Sequence, residues 1–148
     1  MPLIDRVQKD MVEAMKAKDE LRLSAVRMIK TALMKHKADA MKEADEAAEM
    51  QILNVLLKQR REAAEMFRKG GREEQAAKED AEARLIEQYM PALATAEEIE
   101  AAVAGALAET GITSAKQMGL VMKAVQAKLS GKRVDGRALA EKVKSKLS

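Results

Sequence analysis

Apolar positions recur three and four residues apart along nearly the whole chain, the spacing of helices that each bury one face. Leu3, Ile4, Val7, Met11, Ala14 and Met15 predict a first helix. Pro2 suits its first turn, where a missing N–H costs nothing. Lys18-Asp19 breaks the pattern, and Asp19 is placed to cap a second helix. Leu21, Ala25, Met28, Ile29, Ala32 and His36 form one face of that helix, and Leu23, Val26 and Leu33 widen it. A helix apolar on most sides belongs inside a bundle. Residues 37–46 are polar and predict a loop. A third helix follows, with Met50, Leu53, Leu56, Leu57, Ala64 and Phe67 inward, and ends at Gly70-Gly71. The fourth, over about residues 73–89, lines up Ala77, Ala81, Leu85 and Tyr89 with Ile86 beside them, and Pro91 stops it.

A new start signal appears at Thr95, which with Glu98 fits a capping box. Ile99, Val103, Ala106 and Leu107 face inward on the fifth helix, which Gly111 ends. Ser114 with Gln117 repeats the box, and Met118, Val121, Met122, Val125 and Leu129 line the sixth helix as far as Gly131. Asp135 caps a short seventh helix with Leu139, Val143 and Leu147 on one face. The expected architecture is all-α: an N-terminal helical bundle over residues 1–90, then a small three-helix module over residues 95–148.

Composition narrows this further. Phe67 and Tyr89 are the only aromatic residues, and Ala, Glu, Lys, Leu and Met dominate. β-Sandwiches, barrels and most α/β folds are thereby excluded. There is no cysteine, hence no disulfide, thiol catalysis or Cys-type metal site. No apolar run approaches the ~18 residues of a membrane span, and the opening residues do not read as a signal peptide. The expected setting is cytoplasmic, with no membrane partner.

The net charge of +3 is unevenly spread. Residues 1–90 hold 18 basic and 18 acidic side chains, whereas residues 113–148 hold 9 basic ones against only Asp135 and Glu141. A basic terminal region on a balanced body predicts an anionic partner.

Catalytic chemistry is sparse. His36, the only histidine, has no acid–His or Ser–His spacing around it and reads as a satisfied structural residue. Acidic stretches such as Glu43-Ala44-Asp45-Glu46 lack the spaced ligands of a calcium loop and read as solvated faces. No phosphate-cradling glycine motif is present, so no catalytic residue, cofactor or metal site is expected. The eleven methionines fill volume in a core with almost no aromatic side chain. Arg60 lies near the buried side of the third helix and is expected to pair with a carboxylate at the bundle edge, as are Arg22 and Arg27. Gly119 interrupts a periodic helix at a cost of about 1 kcal/mol relative to Ala. That predicts close approach of another backbone or a ligand.

Several of these pieces occur together in order. Asp5-Arg6-Val7 through Met15-Lys16-Ala17-Lys18-Asp19, with Arg22-Leu23-Ser24 and Arg27-Met28, resembles the opening of the YqeY (GatB/YqeY) family. Lys58-Gln59-Arg60-Arg61-Glu62, Phe67, Gly71-Arg72 and Tyr89-Met90-Pro91 resemble its middle section. Met118-Gly119-x-x-Met122, Gly131-Lys132 and Asp135-Gly136 resemble its C-terminal signature, with departures at Leu120, Lys123 and Ala127.

The family is similar to the helical tail of the GatB component of the glutamine-dependent aminoacyl-tRNA amidotransferase and to domains appended to some glutaminyl-tRNA synthetases. The resemblance therefore implies a tRNA-binding accessory role. The alternatives are a protein–protein adaptor for such a synthetase or amidotransferase, and the carbon–nitrogen ligase activity, with glutamine as amido donor, associated with the family. No autonomous activity is expected, because no ATP site or amidase nucleophile is legible. With tRNA as partner, the candidate RNA-binding residues are Lys116, Lys123, Lys132, Arg133, Arg137, Lys142 and Lys146. If the last two helices pack as a hairpin, several of these charges are expected to reach one surface.

Overall fold

The computed structural model describes residues 1–148, with seven α-helices, no strand and 78% of the chain helical. The chain divides into two compact units, Met1–Met90 and Pro91–Ser148.

The first unit holds α1 (Leu3–Ala17), α2 (Glu20–Ala40), α3 (Glu46–Lys69) and α4 (Glu73–Glu87). Side-chain caps start two of them: Asp19 accepts from the Arg22 N–H at 3.1 Å and Asp45 from the Ala48 N–H at 2.8 Å. Lys18 and Met41 take left-handed conformations where α1 and α2 end. Val7, Val26, Ile29, Leu53 and Ile86 are fully buried between the helices. The end of α4 is tied to α1. The Tyr89 hydroxyl donates to Asp10, the Arg6 guanidinium lies 4.6 Å from the Tyr89 ring centroid, and Arg6 donates to the Gln88 carbonyl at 3.2 Å.

Four expectations for this unit are corrected. The loop expected over 37–46 shrinks to residues 41–45, because the alanines and lysines there extend α2 to Ala40 and Asp45 starts α3. Met15 is exposed. Arg22 and Arg27, expected to pair with carboxylates, form no ion pair; Arg22 instead lies within electrostatic reach of the Tyr89 hydroxyl. The fourth helix is turned by about one residue. Ala76, Glu82, Ala83 and Ile86 face inward, while Ala77 is exposed.

The reason for that turn is a buried carboxylate. Glu82 is only 3% exposed, accepts from the Ser24 hydroxyl at 3.3 Å, and stands 3.9 Å from Arg60. Arg60 also holds Glu79 at 3.0 Å, as its expected pairing required. A buried charge is tolerable only when paired and hydrogen-bonded, and this network supplies both.

The second unit holds α5 (Ala96–Thr110), a 3-10 turn (Ala115–Gln117), α6 (Met118–Lys128) and α7 (Gly136–Lys146). The expected capping box is complete: Thr95 accepts from the Glu98 N–H at 3.1 Å and Glu98 accepts from the Thr95 N–H at 3.3 Å. The second box is only half formed. Ser114 accepts from the Lys116 N–H, but the chain makes a 3-10 turn before α6 and the Gln117 side chain does not reach back. Asp135 caps α7 through the N–H groups of Arg137 and Ala138. Val103, Val121, Val125, Leu139 and Val143 are fully buried together.

Gly131, at φ +87°, turns the chain from α6 toward α7 in a conformation that L side chains resist. The following Arg133 backbone meets the 92–94 segment: its N–H donates to the Ala92 carbonyl at 3.0 Å and its carbonyl accepts from Ala94 at 2.7 Å. Gly119 is not buried against anything. It is the second residue of α6, exposed, and a Cβ there would meet no atom within 4 Å. The close approach expected of it is absent within this chain.

Candidate nucleic-acid interface

The seven candidate RNA-binding residues all fall in the second unit, and the structure sorts them by what their charges already touch. On α6 and the turn before it, Lys116, Leu120, Lys123 and Ala127 are exposed. They lie away from the Val121–Val125–Leu129 face that enters the core. Lys116 and Lys123 have no carboxylate partner. Lys144, on the outer side of α7, has none either, and it is likewise exposed.

The others are engaged. Lys132 pairs with Glu98, in the first turn of α5. Lys142 and Lys146, one helical turn apart on α7, both pair with Glu100, the latter at 3.4 Å. Arg133 is half-buried and donates through Nε to the Pro91 carbonyl at 2.9 Å. Arg137 faces Glu141 at 3.8 Å with both side chains largely in solvent. Lys128 lays its stem over Gly105 and reaches Glu109 at 2.6 Å.

These pairs perturb the acids in the expected direction. The Lys132 ammonium, joined by the Thr95 N–H, holds the Glu98 carboxyl below the usual carboxylate range. Lys142, joined by Lys146, does the same for Glu100. Sequence reasoning finds Glu98 only as a cap and misses Glu100. The lysines that meet them are more than thirty residues away, beyond any local signal.

The arrangement therefore offers two kinds of cation. Lys116, Lys123 and Lys144 are available at no cost in internal contacts. Lys132, Lys142 and Lys146 would have to exchange a carboxylate for another anion. An exposed ion pair is worth ~0–1 kcal/mol, so a phosphate at the same site could compete for the lysine. Arg133 is committed to holding the 91–94 segment.

His36, expected to be a satisfied structural histidine, is half-buried, and its imidazole makes no hydrogen bond. No three His, Asp or Glu side chains of the chain gather where they could hold a metal ion. No helix is long and apolar enough to cross a membrane.

A model of the Yqey-like protein family matches residues 4–147. Similar curated proteins include "Altered inheritance of mitochondria protein 41, mitochondrial" of Lachancea thermotolerans, 32% identical over 98 residues, which are 66% of this chain and 52% of that protein. The protein of the same name in Eremothecium gossypii is 36% identical over 98 residues, covering 64% of this chain and 54% of that one. The chain thus spans about half the length of the curated relatives it matches.

Proposed function

The chain belongs to the Yqey-like protein family, and on that premise we propose that it is a tRNA-binding accessory module, related to the tail of the glutamine-dependent tRNA amidotransferase and to the domains appended to glutaminyl-tRNA synthetases. The observation that carries this reading is the basic second unit, in which Lys116, Lys123 and Lys144 stand exposed without carboxylate partners. RNA affinity draws largely on phosphate contacts by such side chains. Folded RNA is read mostly by shape, which suits a surface with no aromatic group on which to stack a base. The reading assigns the chain no catalytic step of its own. It works in the cytoplasm in this reading, and fractionation of source cells that recovered the chain in mitochondria, the compartment in its relatives' names, would replace that part.

The test is a binding titration with bulk tRNA across a salt series. Each lost phosphate contact should flatten the slope of log K against log salt by roughly 0.7–0.9. Lys116→Ala with Lys123→Ala removes two cations that hold nothing together, so the slope should fall by about 1.4–1.8 with helicity unchanged. Equal slopes and affinities for the variant and the parent would take this surface out of the proposal.

A second reading, a protein–protein adaptor for a synthetase or amidotransferase, is favoured by Leu120. It is 59% exposed between Lys116 and Lys123. RNA-free co-purification with such an enzyme, lost on Leu120→Asp, would favour it over the first.

A further inference from the structure

Along the first unit, α2 and α3 leave a groove that neither α1 nor α4 covers. Two adjoining depressions of about 510 and 470 Å³ share Ala32, Lys35 and Leu56. The floor is aliphatic. Met28, Ile52 and Leu56 are half-buried in it, and Val55 stands 50% exposed on the α3 side. The α2 wall is cationic: Arg27 and Lys35 are both exposed, and neither has an ion pair. The one carboxylate along the groove, Glu20, sits at the far end, in the first turn of α2, where the helix dipole favours it.

We propose that this groove is a docking site for an acidic amphipathic helix of a partner protein. An aliphatic floor flanked by two unpaired cations complements a helix with apolar residues on one face and carboxylates along one edge. The spacing makes the partner specific. Arg27 and Lys35 are eight residues apart on one helix, about 12 Å at 1.5 Å per residue. A helix lying along α2 meets both with carboxylates seven or eight residues apart, and its apolar residues at i+3 and i+4 between them fall over Met28, Leu56 and Val55. The aliphatic floor favours a helix over a nucleic acid, since no aromatic side chain offers a stacking platform there. This site is separate from the lysines of the second unit, so it stands or falls independently of the tRNA reading.

The test is selection of a displayed library of helical peptides, randomised on two faces, against the full-length chain and against the Arg27→Glu, Lys35→Glu variant. The expected result against the parent is enrichment of Asp or Glu at i and i+7 or i+8, with Leu, Ile or Met between them. The variant should enrich Lys or Arg at those positions and bind the parent's peptides at least tenfold more weakly. Amide shifts on adding the selected peptide should centre on Met28, Ile52 and Leu56, and Val55→Asp should abolish them while leaving the circular dichroism unchanged. Three results would overturn the proposal: no enrichment, enrichment indifferent to the charge reversal, or amide shifts at the groove produced by tRNA or by self-association in place of the peptide.

Discussion

Removing Arg60 probes the buried network that fixes the orientation of α4. Arg60→Ala leaves Glu82, almost fully buried, with only the Ser24 hydroxyl at 3.3 Å. Stripping one partner from a buried ion pair costs about 3–5 kcal/mol. Two features lower that here. The Arg60 side chain is 25% exposed and stands 3.9 Å from Glu82, so solvent screens the pair, and its buried Nε has no acceptor of its own. The expected loss is therefore about 2–3 kcal/mol. Glu82→Gln keeps an acceptor for Ser24 while Arg60 keeps Glu79, and should cost only about 1 kcal/mol. Arg60→Met combined with Glu82→Leu removes both charges and keeps the volume, so it should lie within about 1 kcal/mol of the parent. Urea titrations followed through amide resonances of α2 and α4 report this unit alone. The reasoning fails if Arg60→Ala is within about 0.5 kcal/mol of the parent, the range of an ordinary surface change. It fails equally if the double variant is as unstable as Arg60→Met and Glu82→Leu, each measured alone, added together.

The two glycines of the second unit should respond oppositely. Gly131→Ala, forced to φ +87°, should cost about 1–2 kcal/mol, whereas Gly119→Ala, helical and open on all sides, should stabilise by up to about 1 kcal/mol. Thermal melts of both variants check this, and a destabilising Gly119→Ala would revive a close contact there. Thr95→Ala removes the capping hydroxyl of α5 and should cost about 0.5–2 kcal/mol, read as faster hydrogen exchange in its first turn. Glu98 and Glu100 titrate lower in the folded unit than the ordinary value of 4.5, so their stabilisation is complete above that pH and is lost as pH falls through the lower folded values. Melts followed through second-unit resonances should drop over that acid window and drop less for Glu98→Gln with Glu100→Gln. Identical pH profiles for the two proteins would show that these pairs carry no linkage.

Period and punctuation make most of the fold legible. Asp19, Thr95 and Asp135 cap the helices whose starts they mark, because a capping hydroxyl or carboxylate acts on N–H groups two or three residues away. The face of α4 is misread from the sequence because its inward stripe contains Glu82, and a carboxylate reads as outward until Arg60 and Ser24 are known to meet it. Arg60 is legible as an ion-pair former from its place near the buried side of α3. Arg22 and Arg27 carry the same local signal but form no ion pair. The charge count shows that the last thirty-six residues are basic, yet it cannot separate Lys116 and Lys123, which face solvent alone, from Lys142 and Lys146, which share Glu100. That distinction depends on which helices touch, and it lies outside any local pattern.

Tyr89 has a consequence for how this molecule can be watched. With no tryptophan and one tyrosine in the chain, near-ultraviolet emission comes essentially from a single ring in the first unit. The second unit is silent in emission. In the folded state that ring lies beneath a guanidinium and its hydroxyl is bonded to the Asp10 carboxylate, an arrangement that quenches phenol fluorescence. Release of the α1–α4 tie should therefore brighten the emission, while far-ultraviolet ellipticity follows the helices of both units. Emission recorded with ellipticity on one unlabelled sample would thus give the unfolding curve of the first half directly and that of the second half by difference.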